Sequence, residues 1–483
     1  MTPVQLLIGG QECPATGNAT AIRYNPFSGE AVTEAAAATV EDANRAAEAA
    51  HKAFAAWSQT GPGERRAKLL KAAELMESRQ QEFIDSMVDE TGATLGWAGF
   101  NVMVAAGLLR ESASLTTQIQ GDIIPSNVPH SLAMGVRVPC GVVVGIAPWN
   151  APIILGTRAI AGPLACGNSV ILKASEMCPN THGLIGRVLI EAGLGDGIVN
   201  VIHNGPDNAP EVVAALVEHP AVRRINFTGS TTVGRIIAEK AATQLKPVLL
   251  ELGGKAPFLV LDDADIDAAV EAAAFGAFFN QGQICMSTER LIVDASVADE
   301  FAEKLAVKAS TLKAGNPREQ DNALGTLVNR ESGEKLSALI DDALSKGARL
   351  ASGGKADGMV MQATLIDGVT EEMRLYREES FGPVVAMIRV NGEEEAIRVA
   401  NDSEYGLSSA VFTRDSARGL RVAGRIEAGI CHINAPTVHD EPQMPFGGVK
   451  NSGYGRFGGK AVIDEFTELR WMTLQTGPRH YPI

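Results

Sequence analysis

The sequence predicts an α/β protein built from two doubly wound domains with a small β excursion. Three observations carry this. Five short apolar runs between residues 142 and 251 alternate with segments of helical periodicity, as strands joined by helical crossovers do. A second alternating set occupies residues 258–412. At 483 residues the chain also exceeds what one hydrophobic core serves, so about two to three domains are expected.

The elements follow in order. A polar, turn-rich first segment up to Asn25-Pro26-Phe27-Ser28-Gly29 suggests a hairpin with Gly9-Gly10 at one end. A helix opens at Thr39, where Asp42 completes a capping box, and Val40, Ala43, Ala47, Ala50, Phe54 and Trp57 form its apolar stripe. A second helix is expected from Glu64 to Glu90, stopped by Gly92, and a third from Trp97 to Leu115. Residues 121–138, with Pro125 and Pro129, read as a strand excursion. Val142–Ala147 is a continuous apolar run of the kind buried on both faces of a parallel sheet. Strands at 169–173, 199–202, 224–228 and 247–251, with helices between them, complete the first domain. The second has strands near 258–261, 290–293, 384–388 and 409–412 and helices near 265–279, 298–312, 332–346 and 393–401. Glu465 to Leu474 alternates apolar and polar and is expected to pair with the excursion at a subunit edge.

Composition narrows the function classes. Hydrophobic residues are 45% and charged residues 20%, ordinary for a soluble globular enzyme. A net charge of −15 argues against nucleic acid or an anionic membrane as partner. Met1 to Ala15 has no basic run and only a short apolar Leu6-Leu7-Ile8, which argues against a signal peptide. No stretch approaches the roughly 20 apolar residues that span a bilayer. The cysteines, Cys13, Cys140, Cys166, Cys178, Cys285 and Cys431, have no metal-ligand spacing and read as reduced thiols of a cytoplasmic chain.

Several strand ends carry candidate chemistry, each with a plainer alternative. Gly229-Ser230 opens a helix after a strand, where a phosphate is stabilised by free N–H groups and the helix dipole, although an ordinary turn looks the same. Lys173-Ala174-Ser175-Glu176 offers a cation and an acid for ribose hydroxyls, or a solvated ion pair. Asn150, in Pro148-Trp149-Asn150, is an oxyanion donor or a turn residue. Cys285, among the small and polar residues of Gln281-Gly282-Gln283-Ile284-Cys285-Met286-Ser287, is a nucleophile or an inert buried thiol. Glu251 ends an apolar strand before Gly253-Gly254, surroundings that raise a carboxyl toward the range of a general base.

These pieces stand in one order, Pro148-Trp149-Asn150, Lys173-Ala174-Ser175-Glu176, Phe227 to Thr231, Glu251 to Lys255, Gly282 to Cys285, Glu379-Ser380-Phe381-Gly382-Pro383 and Pro445-Phe446-Gly447-Gly448. That order resembles the NAD(P)-dependent aldehyde dehydrogenase superfamily along nearly the whole chain. Trp97 to Asn101, Cys285 to Arg290 and Asp464 to Leu469 look like its bacterial aromatic aldehyde members, of salicylaldehyde, vanillin or benzaldehyde type.

The resemblance implies a Rossmann-like cofactor domain at 1–120 and 140–251, a catalytic domain at 252–450, and an oligomerisation arm and tail at 121–139 and 451–483. It implies that Cys285 attacks the aldehyde, Asn150 holds the oxyanion and Glu251 activates the hydrolytic water; members that transfer the acyl group to coenzyme A usually lack this glutamate. NAD is expected as cofactor, with Ile146, Pro148, Trp149, Lys173, Glu176, Gly205, Gly229, Ser230, Val233, Leu252, Glu379 and Phe381 around it. Glu176 is expected to repel a 2′-phosphate. Arg158, Phe279, Ile284, Met286 and Phe446 match substrate-tunnel positions, with Arg158 beside a polar ring substituent. A homodimer or homotetramer is implied. Ala159 and Phe457 replace a lysine and a glutamate linked in many members to proton exit from the base. The tunnel residues alone separate this reading from an aliphatic or succinate-semialdehyde dehydrogenase. A cofactor-free cysteine hydrolase needs no nucleotide crevice, and a non-catalytic binding protein would bind NAD without turnover.

Overall fold

The computed structural model describes residues 1–483. Two central sheets are each covered on both faces by helices, and the apolar residues divide accordingly into two large clusters per sheet.

In the first sheet five parallel strands lie in the order Val248–Glu251, Val222–Thr228, Val142–Ile146, Ser169–Lys173 and Val199–Ile202. The chain thus starts in the middle, winds outward one way, and returns to wind the other way. The order reverses between Val142–Ile146 and Val222–Thr228, and ligands of open α/β sheets bind beyond the carboxyl ends of strands at such a switch point. Every residue of Val142–Ile146 and Ser169–Lys173 is buried, which is why their sequences run apolar without alternation. The hairpin Leu6–Ile8 and Gln11–Cys13 extends one edge, its turn made by Gly9 (φ 65°) and Gly10 (φ 85°).

The second sheet has six parallel strands, Thr364–Asp367, Val384–Val390, Thr288–Asp294, Ala256–Val260, Ser408–Phe412 and Ile430–Ile433, with Arg349–Ser352 antiparallel at one edge. Strands Arg349–Ser352, Thr364–Asp367 and Ile430–Ile433 add to those expected from the sequence.

Helix Val40–Trp57 has the expected box, with the Thr39 backbone N–H donating to Asp42 at 2.9 Å. The expected second helix is two, Pro62–Ser78 and Gln80–Thr91, broken at Arg79 (φ −104°, ψ 18°) and stopped by left-handed Gly92. The excursion forms Asp122–Ile124 and Ser131–Pro139, and the latter pairs along its whole length with Thr467–Gln475. One boundary needs correction. Residues 451–466, expected with the tail, belong to the first unit: Gly453–Tyr454 pairs with Val248–Glu251, and Phe457, Val462, Ile463 and Phe466 are buried in its core.

Candidate active site

At the switch point the chain leaves Val142–Ile146 into Pro148-Trp149-Asn150, and leaves Val222–Thr228 into Gly229-Ser230 and helix Thr231–Thr243. The Ser230 hydroxyl caps that helix, accepting from the Val233 N–H at 3.4 Å. A cleft of about 870 Å³ opens here, lined by these two turns, by Glu251 to Gly253, by Cys285 and by Ser332, Lys335 and Glu379 to Phe381.

Five of the residues expected around a cofactor lie outside that lining. Ile146 and Lys173 are register partners at neighbouring strand ends, Gly205 follows Val199–Ile202, and Val233 stands exposed on the first turn of its helix. Lys173 is buried, its pKa lowered by desolvation, and Glu176, half-buried, is its ion partner at 3.9 Å.

Cys285 is presented by a turn after helix Ile266–Phe278. Asn280 (φ 49°), Gln281 (φ 54°) and Gly282 (φ 66°) are all left-handed, and the two side chains there are under strain that the surroundings must hold. Gln281 does so by donating to the Thr326 carbonyl at 3.1 Å and accepting from the Gly325 N–H at 2.9 Å. Gln283 repeats this, donating to Thr326 at 3.3 Å and accepting from the Val328 N–H at 3.1 Å. The turn is also stitched to the first domain: the Asn150 amide donates to the Gln283 carbonyl at 3.0 Å, while Asn280 donates to the Asn150 carbonyl at 3.1 Å. Sequence reasoning missed Gln283, Asn280 and Thr326 as supports, because their partners lie 43 to 133 residues away.

Glu251 ends its strand 1% exposed, and neither carboxylate oxygen has a hydrogen-bond partner. Burial pushes its pKa up to about 8, with the Cys285 thiol and Arg158 opposing. Cys285 is partly exposed to the cleft, yet its dry surroundings and the neighbouring Glu251 carboxyl raise its thiol well above the ordinary value. Glu379 accepts from the Gly254 N–H at 2.8 Å, and burial, followed by the charge of Glu289, pushes it to about 7. Glu289 holds the segment after Glu379 in place, taking the Ser380 and Phe381 N–H groups at 3.0 Å and the buried Lys255 ammonium at 2.6 Å. Phe381 is left-handed (φ 54°) and meets Trp149 edge-on, ring centres 5.8 Å apart.

A second cleft of about 870 Å³ reaches Cys285 from the other side. Its wall is mostly apolar and includes Trp97, Phe100, Phe279, Ile284, Met286 and Phe446, so all five expected tunnel residues, Arg158 among them, are brought together. Phe279 packs edge-on to Trp97 at 4.9 Å, and the Arg158 guanidinium lies 4.6 Å from the Phe446 ring centre. Arg158 is paired at 2.5 Å with Asp440, whose side chain is 8% exposed. Asn150, Leu155 and Cys285 line both clefts. Ala159 and Phe457 are buried and neither side chain can carry a proton.

The chain matches known proteins along nearly its whole length. The family model of the aldehyde dehydrogenases matches residues 14–472. The chain is 63% identical over 483 residues to a vanillin dehydrogenase of Pseudomonas fluorescens, covering 100% of both chains. It is 53% identical over 479 residues to a salicylaldehyde dehydrogenase of Pseudomonas putida, covering 99% of each. The crystal structure of the salicylaldehyde dehydrogenase of Pseudomonas putida G7 complexed with salicylaldehyde superposes with a TM-score of 0.98 at 52% identity, covering 100% of both chains. The chain belongs to the aldehyde dehydrogenase family.

Proposed function

We propose that the protein oxidises an aromatic aldehyde to its carboxylic acid with NAD, through a covalent intermediate on Cys285. The meeting of two clefts at one sulfur carries this reading: a polar cleft at the switch point and an aromatic cleft share Cys285, with Glu251 in the wall of the first. The vanillin and salicylaldehyde relatives support the aromatic class.

The donor set of the first cleft fits a dinucleotide. Gly229 and Ser230 stand at a helix N-terminus, whose first-turn N–H groups suit the pyrophosphate. Lys173 is a buried ammonium with only one loose counter-charge, which leaves its N–H groups for ribose hydroxyls. Glu176 beside it disfavours a 2′-phosphate, which supports NAD over NADP. Ile146, Gly205 and exposed Val233 flank the adenosine end, while Pro148, Trp149, Leu252, Glu379 and Phe381 surround the end near Cys285. When bound, NAD supplies the acceptor for the aldehyde hydrogen.

The chain's own residues perform the remaining steps. The Cys285 thiol passes its proton through the Glu251 carboxylate to water in the cleft, its sulfur bonds to the aldehyde carbon, and the carbonyl oxygen becomes an oxyanion. Asn150 uses one amide hydrogen on Gln283, leaving the other, with the unpaired Cys285 backbone N–H, to donate to that oxygen. After hydride loss, Glu251 takes a proton from water attacking the thioester carbon, and the C–S bond breaks to release the acid. Ile284, Met286, Phe279 and Phe446 shape the ring slot.

Cys285→Ala should abolish NADH production, whereas Glu251→Gln should keep one burst of NADH and lose steady-state turnover. Full turnover by Glu251→Gln would remove the deacylation role. A panel of benzaldehyde, salicylaldehyde, vanillin and aliphatic aldehydes, followed by NADH absorbance with NAD and NADP in parallel, tests substrate and cofactor. Higher kcat/KM for the aliphatic aldehydes would overturn the aromatic assignment.

A further inference from the structure

His182 stands in the first turn of helix Pro179–Glu191 and is fully buried. Its two ring nitrogens reach the loops that follow two neighbouring parallel strands. Nδ1 lies 3.1 Å from the Ser175 backbone nitrogen, inside Lys173-Ala174-Ser175-Glu176, and Nε2 lies 3.1 Å from the Pro152 carbonyl, two residues past Asn150. A backbone N–H only donates and a carbonyl only accepts. Both contacts are therefore hydrogen bonds in one form alone, the neutral ring with its proton on Nε2. Burial, opposed by the Pro152 bond, pushes the pKa down to about 3, so the ring is neutral at any pH where the enzyme would work. The Cys178 sulfur also stands 3.8 Å from Nδ1.

The ring is held from the side as well. It lies against Gly156 in helix Pro152–Ala165, where a Cβ would stand 2.9 Å from its Cδ2, so it is wedged between the two helices. The two loops that it reaches have different duties in the proposed function, Lys173 and Glu176 at the ribose of the cofactor and Asn150 at the oxyanion. Both are irregular backbone beyond a strand end, joined directly by the Ala147 N–H donating to the Lys173 carbonyl at 3.3 Å. One buried side chain that satisfies a polar group in each loop fixes both against the same helix.

We infer that His182 is a positioning residue for the reaction: through Nδ1 it sets the loop that holds the ribose, and through Nε2 it sets the turn that presents Asn150. This rests on the reading of the polar cleft as the NAD site and of Asn150 as the oxyanion donor.

His182→Ala removes both bonds and leaves a void, so the test uses two substitutions that each keep one bond. His182→Asn puts its amide oxygen where Nδ1 stood and has nothing at Nε2, whereas His182→Gln puts its NH2 group at Nε2 and has no acceptor at Nδ1. In the full-length protein, Kd for NAD is read from quenching of tryptophan fluorescence, and kcat with benzaldehyde from NADH absorbance at saturating NAD. His182→Gln should weaken NAD binding about five-fold or more, because the Ser175 N–H is left buried and unpaired, while kcat stays within about two-fold. His182→Asn should do the reverse, lowering kcat about five-fold or more with Kd within about two-fold, because a misplaced oxyanion donor costs rate and not cofactor affinity.

A merely structural role gives no such crossing, since loss of packing moves both parameters together with Tm. Parallel changes in the two variants, or wild-type values in both, would overturn the inference. Should one variant fail to fold, the other decides alone, since its Kd and kcat must part in the stated direction. Failure of NAD to quench the wild-type chain overturns the cofactor reading, whereas binding by the wild-type chain with no crossing between the variants overturns the role of His182 alone.

Discussion

Glu251 is the residue on which the pH behaviour turns. Its carboxyl is raised to about 8 by burial, and only the carboxylate can take a proton from water, so steady-state turnover should rise as pH increases through about 8. A pH profile flat from 6 to 9, with hydrolysis shown to be rate-limiting, would contradict this. Stability should move the opposite way. Between the ordinary value of 4.5 and about 8 the folded carboxyl keeps a proton that the unfolded one has lost, so this group's contribution falls as pH rises through that window. Glu251→Gln, which never charges, should therefore gain Tm relative to the wild-type chain between pH 5 and pH 9 in thermal unfolding. The residue types were readable in sequence, since a lone glutamate before Gly253-Gly254 already suggested desolvation. That both its oxygens are unpaired, and that Asp440 stands opposite Arg158, was not readable: Arg158 and Asp440 are 282 residues apart.

Among the elements, the turn that carries Cys285 is the strained one. Gln281 and Gln283 tie it to residues 325–328 through four hydrogen bonds that no local pattern announces. Gln281→Ala leaves the Gly325 N–H and a Thr326 acceptor site short of a partner and releases the left-handed backbone. The expected cost is about 1–3 kcal/mol in chemical denaturation, with a lower kcat. A variant with wild-type stability and kcat would show that Asn280 and Gln283 suffice. Elements with local punctuation were legible: Thr39 and Asp42 mark one helix start, Gly92 one helix end, and Gly9-Gly10 one hairpin. The break at Arg79 was not, because helical periodicity runs through it with no glycine or proline to mark a stop.

For the whole molecule, the long antiparallel pairing of Ser131–Pro139 with Thr467–Gln475 leaves an apolar surface in water. Ile124, Leu469 and Trp471, which the register puts on one face of this sheet, are 50%, 61% and 79% exposed, more than a monomer readily tolerates in one place. We expect this arm to be the contact of a homo-oligomer, and Trp471→Asp to shift the assembly toward smaller species in sedimentation; an unchanged sedimentation coefficient would place the contact elsewhere. No helix is long and apolar enough to cross a membrane.

What the sequence by itself determined is whatever depends on near neighbours. Apolar runs made parallel strands, caps and glycines bounded several helices, and the motifs at strand ends identified the family and its candidate chemical residues. Only the tertiary structure decided what those residues face. The strand order places the switch point between Val142–Ile146 and Val222–Thr228, the return of residues 451–466 completes the first core, and Cys285 comes to stand between two clefts. The physical reason is range. Backbone periodicity and capping act over a few residues, whereas burial, desolvation and the pairing of Arg158 with Asp440 arise only when distant segments exclude water together.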